Sequence, residues 1–510
     1  MRDKAISTYA DNDTKKSSLE PLALTRSDWA WPLMFMLSMS MLGLKFPLAY
    51  LLVPLILFNR FRHDRYDFVI QLTIVLGGYS LYNPFDVFIY PLYVPILLSL
   101  AAITILRKNL FIKKTLAVCA IYLLGILYFV MQSDERFSVQ LTGILHYMSI
   151  IYLFVPFVIF SGQEFDIRIF FRHLLVYAFI FSAFYILDCV IMGGMFFLPY
   201  DISWATFNSF SVFYNPRIDI LSFEFPRRWP PGMYILILSV YPLAKMFKIK
   251  WWQWALLVGA MLVCRTFTFN IALVIGFIMC RAKARQLVYY AIGFVVAFVA
   301  LYFIDGAMGE TTVINADGAD GIETTTSTLR IKSQIDQILF FDENDEETLA
   351  QLGTGRGAQI IPKLELLYKY DRQWIGMGFL DRERTTSTKY IIENDLYNNP
   401  EVADEVATGV ESVPFQIVLD IGILGLIVHI IFLVLISQLV RRLPHSSVFI
   451  STLWMFTIIG FNGMGGTIRK DSLILVGLAF AVVVLNDKRN IGGFDLPSIR
   501  DGEKTPTLTI

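Results

Sequence analysis

Apolar runs recur along almost the whole chain, at about 29–43, 45–58, 67–82, 88–106, 115–131, 141–160, 174–198, 231–246, 251–264, 266–280, 286–304, 413–440, 447–461 and 472–486. A helix needs about 20 apolar residues to cross a bilayer, and several of these runs fall short of that. Fourteen of them in 510 residues still leave little chain for a water-soluble core. With 55% of residues hydrophobic and 17% charged, the apolar excess has to face lipid. The expected fold class is an all-α polytopic membrane protein with about 14 transmembrane segments, or as few as about 12 if short neighbours merge. Two pairs invite merging: 29–58 around Lys45-Phe46-Pro47, and 251–280 around Cys264-Arg265-Thr266. Each pair could be one kinked crossing, and removing one segment would invert everything after it.

Charge arbitrates. Lys plus Arg equals Asp plus Glu, 43 against 43, so the chain shows none of the basic bias of a nucleic-acid binder. The balance is sorted by region: Asp305 to Ser412 carries 21 acidic and 9 basic residues, a net of −12, and the remainder carries +12. With the N-terminus inside, the cytoplasmic connections become Arg60–Arg65, Arg107–Lys114, Arg168 to Arg172, Lys248-Ile249-Lys250, Arg281–Arg285, Arg441-Arg442 and Lys488-Arg489. All are basic, as the positive-inside rule requires. Fourteen segments with both termini cytoplasmic satisfy the rule throughout.

The organisation that follows is a cytoplasmic tail over 1–28, segments one to eleven over 29–304, a large outer loop over 305–412, three closing segments over 413–486, and a cytoplasmic tail over 487–510. The first 28 residues lack the ordered basic, apolar and small-residue regions of a cleavable signal. Within the loop, Gly306 to Gly353 reads as partly ordered, and Ala358–Tyr370 has apolar residues at helical spacing. That spacing predicts an amphipathic helix lying over the membrane domain.

Soluble-enzyme motifs are absent: no phosphate-binding Gly-rich loop with its Lys, no HExxH, no G-x-S-x-G and no CxxC. Cys119, Cys189, Cys264 and Cys280 lie in or beside apolar runs without metal-ligand spacing, so neither a disulfide framework nor a zinc site is expected from them. His63, His173 and His445 fall in cytoplasmic connections, and His146 and His429 fall inside segments, where a satisfied structural role is the ordinary one. No metal or cofactor is expected.

Arginine is more informative. Arg227 and Arg228 stand at the outer end of the segment that begins near 231, and Arg265 stands between two apolar runs at the same boundary. Positive residues are disfavoured there. They either snorkel to lipid phosphates and pair with Glu224 and Asp219, or clamp a diphosphate, since guanidinium stays ionised and makes forked hydrogen bonds to phosphate oxygens. Arg265 has no carboxylate beside it in sequence and favours the second reading.

From Arg227 to Leu426 the chain resembles the O-antigen polymerase and O-antigen ligase superfamily of bacterial inner-membrane glycosyltransferases. The residues that carry the resemblance are Arg228 with Gly232, then Arg265, then Thr354-Gly355-Arg356, then Trp374-Ile375-Gly376-Met377-Gly378, and finally Asp420-Ile421-Gly422-Ile423-Leu424-Gly425-Leu426. The sequence departs from the family pattern in three places. Three residues rather than two separate Arg228 from Gly232. The acidic stretch before Thr354 makes Arg330 an alternative to Arg356. The position where ligases carry a histidine falls at Glu411, and the loop contains no histidine. The last departure favours the polymerase over the ligase.

The resemblance implies a GT-C-like helical bundle in the inner membrane, with a large periplasmic loop containing short helices. It also implies glycosyl transfer between two undecaprenyl-diphosphate-linked substrates at the periplasmic face. A hydroxyl of one lipid-linked repeat attacks the anomeric carbon of the chain on the other, and undecaprenyl diphosphate leaves. Arginines held in place stabilise charge on the leaving oxygen without a metal. On this reading Arg228 and Arg265 are catalytic and bind the diphosphate, with Arg227, Arg356 and Arg330 supporting, and Glu411 is the first candidate for the base, ahead of Glu224 and Asp219. Trp204 and Tyr214, in an aromatic-rich outer loop, are candidates for packing on sugar rings or for the interfacial belt. The expected partners are membrane lipid, a chain-length regulator and a flippase. A lipid-linked oligosaccharide flippase is the competitor from another class, but two related halves and short outer loops are expected of it.

Overall fold

The computed structural model describes residues 19–43, 48–77, 100–101, 110–131, 147–160, 165–192, 230–263, 267–281, 287–307, 310–315, 322–327, 371–378, 412–461 and 470–486, with 144, 332, 360, 364, 367 and 368 besides. Helices dominate these residues: α1 (Arg26–Gly43), α2 (Ala49–His63), α3 (Arg65–Gly77), α4 (Leu110–Val130), a 3-10 turn Met148–Phe154 running into α5 (Val155–Phe160), and α6 (Ile167–Met192). They continue with α7 (Pro230–Lys245), α8 (Trp251–Val263), α9 (Phe267–Arg281), α10 (Leu287–Ala307), α11 (Val413–Val440), α12 (Ser446–Gly460) and α13 (Lys470–Asn486). The helical class expected from the sequence is therefore found. Among the described residues, three helices are long and apolar enough to cross a membrane, over Lys113–Val130, Ile167–Leu187 and Val413–Val440. Shorter apolar helices lie at Gly232–Lys245, Trp251–Leu262, Thr268–Arg281, Ser446–Gly460 and Leu473–Asn486.

The helices share an aromatic core in which Tyr147, Tyr177, Phe181, Tyr185 and Tyr234 are buried. The outside is apolar as well. Leu51, Leu55 and Phe58 form an exposed stripe on α2, Ile121, Leu124 and Tyr128 one on α4, and Ile292, Val296 and Phe303 one on α10. Patches of this extent are untenable in water and suit contact with acyl chains.

Both short pairs fold back rather than running on as single kinked crossings. The Arg60 guanidinium lies 4.2 Å over the Trp31 ring, which puts the end of α2 beside the start of α1. Trp254 and Phe277 meet with centroids 5.9 Å apart, which puts the end of α9 beside the start of α8. The same kind of contact brings described residues of several basic connections to one end of the bundle. Arg168 pairs with Glu20 at 3.1 Å, Arg172 with Asp28 at 3.2 Å, and Tyr241 bonds His445 at 2.6 Å. A short parallel bridge joins β1 (Glu20–Pro21) to β2 (Phe247–Lys248) at that end. Thr25 and Asp28 cap α1 there: Thr25 N–H and Oγ1 donate to Asp28 Oδ2 at 2.7 and 2.9 Å. Burial works against the Asp28 charge, but the Thr25 backbone and hydroxyl bonds, with Arg172, outweigh it and hold the carboxyl below the usual range.

In the region expected as the outer loop, the stretch read as partly ordered contains an antiparallel ribbon, β3 (Glu310–Asn315) with β4 (Ile322–Ser327). The ribbon adds strand to a loop expected to contain short helices. β-branched Thr, Val and Ile favour a pleated strand, and Asp-Gly steps lie between the two strands. The amphipathic segment is present: residues 360, 364, 367 and 368 are helical, and Ile360, Leu364 and Leu367 pack with Phe415, Val418 and Leu419 of α11.

Candidate functional site

α11 is broken at Gly422, whose φ of 74° and ψ of −177° interrupt the helix. Essentially only glycine adopts that conformation. In an unbroken helix the N–H groups of Ile423 and Leu424 would bond the carbonyls of Leu419 and Asp420. Instead, Ile423 N–H donates to Gln373 O at 3.0 Å and Leu424 N–H to Trp374 O at 3.2 Å. The carbonyls so released accept from the same loop, Leu419 O from Met377 N–H at 2.8 Å and Asp420 O from Gly378 N–H at 3.0 Å. Two helical bonds are thus replaced by four to an inserted strand of loop. Non-helical backbone at membrane depth requires such satisfaction, and where it occurs it is buried in protein or lines a cavity.

The loop is shaped for the insertion. The helical turn at 367–368 ends with Asp371 at a φ of 53°, where Arg372 N–H bonds Leu367 O at 2.8 Å and Asp371 N–H bonds Tyr368 O at 3.2 Å. Gly376 follows at a φ of 78°. A Cβ on Gly376 would lie 2.5 Å from Asp420 C and Ile421 N, and one on Gly422 would lie 2.2 Å from Trp374 O. Both glycines are fixed by the approach of one backbone to the other. The segments Trp374–Gly378 and Asp420–Leu426, singled out separately in the sequence, are therefore one structural unit.

Beside the break, Asp420 is buried at 3% exposure. Gln416 Nε2 donates to its Oδ1 at 2.7 Å, and Tyr147 Oη donates to its Oδ2 at 3.3 Å. Both oxygens accept, which suits an ionised carboxylate. Sequence reasoning noted Asp420 only as part of a motif. An aspartate inside a strongly apolar run was the signal, since ionisable residues at membrane depth are costly and mark functional positions. Ser412 Oγ and Gln373 Oε1, both in these segments, are buried without a hydrogen-bond partner. Further along α11, His429 Nδ1 bonds Tyr122 Oη at 2.8 Å, the satisfied structural histidine that was expected. Cys119 and Cys280 are free and buried.

Arg227, Arg228, Arg265, Arg330, Arg356, Glu411, Trp204 and Tyr214, with Asp219 and Glu224, lie outside the described residues. The described residues that flank several of them are Pro230 at the start of α7, Val263 at the end of α8, Phe267 at the start of α9, and Ser412 just before α11. Gly232 has a packing role, since a Cβ there would fall 1.8 Å from the Phe181 ring of α6. Searches against family models, curated proteins and solved structures find no match.

Proposed function

We propose that this chain is a bacterial inner-membrane polysaccharide polymerase. It joins undecaprenyl-diphosphate-linked oligosaccharide repeats at the periplasmic face and releases undecaprenyl diphosphate. The observation that carries the reading is the insertion of 373–378 into the Gly422 break. It unites two motif segments of the resemblance through four backbone hydrogen bonds beside a buried carboxylate. The meeting of Glu20 and Asp28 with Arg168 and Arg172, and of Glu20–Pro21 with Phe247–Lys248, supports placing these connections on the same, cytoplasmic side as the N-terminus; fourteen crossings and an outer 305–412 loop are part of the proposal.

On this reading the donor diphosphate lies at the outer end, clamped by Arg228 and Arg265 with Arg227 and Arg356 or Arg330 beside them. Charge grows on the bridging oxygen as the glycosidic bond breaks, and preorganised guanidinium groups stabilise it. Glu411, next to Ser412 in sequence, takes the proton of the attacking hydroxyl. Trp204 and Tyr214 supply faces for the glycan. The protein's contribution is position: a displacement of about 1 Å costs about 100-fold in such a transfer.

A deletion strain tests the proposal. A polymerase leaves lipid A core capped by a single repeat. Uncapped core with accumulated lipid-linked polymer would assign the chain as the ligase instead, and repeats confined to the cytoplasmic leaflet would assign it as the flippase.

A further inference from the structure

Where β2 leads into α8, the chain alternates as a strand does. Phe247 and Ile249 are buried, and Lys248 and Lys250 are exposed. The bridge to Glu20–Pro21 fixes Lys248, whose carbonyl accepts from Leu22 N–H at 3.1 Å. The start of α8 fixes Lys250. Buried Gln253 turns its side chain back to that end, where its Oε1 accepts from Lys250 N–H at 2.7 Å, and Gln253 N–H donates to Lys250 O at 3.1 Å. Main-chain bonds thus hold the two lysines in place while their side chains stay in the open.

Trp251 follows, and it is 81% exposed. One turn on, Ala255, and two turns on, Val258, are exposed on the same face of α8. The indole therefore ends a strip of helix surface suited to acyl chains, with the two ammonium groups just before it in the chain. A third cation comes from the neighbouring helix. Arg281 ends α9, and its guanidinium lies 5.6 Å over the Phe277 ring, which in turn meets Trp254, one turn from Trp251, at 5.9 Å. Among the described residues, Lys248, Lys250 and Arg281 make no ion pair. Glu20, which the bridge sets beside Phe247, is held by Arg168 at 3.1 Å.

We propose that Lys248, Lys250, Trp251 and Arg281 bind the headgroup of an anionic phospholipid, whose acyl chain runs along Ala255 and Val258. Ammonium and guanidinium groups take the phosphate oxygens, and an indole packs at headgroup level with its apolar body towards the chains. Three cations without carboxylate partners select a net-negative headgroup over a zwitterionic one, which would bring its own positive charge to the site. The apolar strip selects a lipid over free phosphate, since only the lipid covers it. The inference needs only the membrane setting of the apolar helices and stands apart from the proposed reaction.

The test uses full-length protein purified in detergent and titrated with phosphatidylglycerol, phosphatidylcholine or inorganic phosphate. Native mass spectrometry should show phosphatidylglycerol retained in preference to phosphatidylcholine. Phosphatidylglycerol alone should raise the thermal midpoint by about 5 °C. Lys250→Gln and Arg281→Gln replace exposed side chains, so both should fold with the lipid-free midpoint unchanged, and each should weaken retention about fivefold. Arg62→Gln, an exposed cation of α2 outside the site, should leave retention as it is. Equal retention of the two lipids, the same midpoint shift with inorganic phosphate, or retention that is unchanged in the Lys250→Gln and Arg281→Gln double variant or falls equally in Arg62→Gln, overturns the proposal.

Discussion

The two ends of the bundle are held together by different chemistry. At the end of the basic connections, side chains do most of the joining beside the short β1–β2 bridge: Arg168 to Glu20, Arg172 to Asp28, and His173 to Asp64 and Asp67. At the other end the main chain does it, through four backbone bonds between loop and broken helix. A side-chain junction weakens by one partner at a time when it is trimmed. A backbone junction has no side chain to lose, and it fails when atoms are added. A substitution that trims one partner at the first end should therefore cost only that contact, and one that adds a Cβ at the second should disturb the whole junction.

The largest effect that would sharpen this contrast is expected from Arg228→Ala and Arg265→Ala. Each should cut polymer formation by about 10²–10³-fold with little change in thermal midpoint, because the proposed reaction gives them work on developing charge rather than on the fold. Normal polymer from both would move the diphosphate elsewhere. Next come Gly422→Ala and Gly376→Ala, which place a Cβ against the facing backbone. About 1–3 kcal/mol of stability and about 100-fold of activity should be lost, read by unfolding and by polymer yield. Asp420→Asn keeps the volume but swaps an acceptor for a donor opposite Gln416 or Tyr147, at a cost of about 1–3 kcal/mol. Full stability in that variant would remove Asp420 as a hub of the junction.

The smallest effects belong to the other end. Arg168→Ala breaks an exposed ion pair and should change stability by about 0–1 kcal/mol. Asp28→Asn keeps an acceptor for Thr25 N–H but removes the charge that strengthens that bond and pairs Arg172, worth about 1 kcal/mol at neutral pH. The Asp28 carboxyl is held below its ordinary range when folded, so this contribution is full above that range and is lost as pH falls through the folded value. The wild type and Asp28→Asn should converge in midpoint in acid and separate at neutral pH.

Much of the fold was legible in the sequence because apolar periodicity and charge sorting are local, additive signals. Each apolar run with described residues contains helix, and Ile360, Leu364 and Leu367 face the bundle as their spacing required. The folding back of α1 on α2 and of α8 on α9 was not legible, because a hairpin and a kink share one apolar pattern until Trp31 meets Arg60 and Trp254 meets Phe277. The β3–β4 ribbon was missed through weight given to acidic and Gly content over β-branched residues. The insertion at Gly422 leaves no periodic trace, since backbone bonds between distant segments show in sequence only as the glycines they demand. The cluster of Asp64, Asp67 and His173 draws on α6 and on the start of α3, and proximity of that kind has no local signature.

The most direct measurement is the lipopolysaccharide profile of the deletion strain complemented with wild-type protein or with Gly422→Ala at equal membrane abundance. The account predicts a polymer ladder restored by the wild type, and core capped by a single repeat with Gly422→Ala. A full ladder from Gly422→Ala, or a deletion strain whose profile is unchanged, would contradict it.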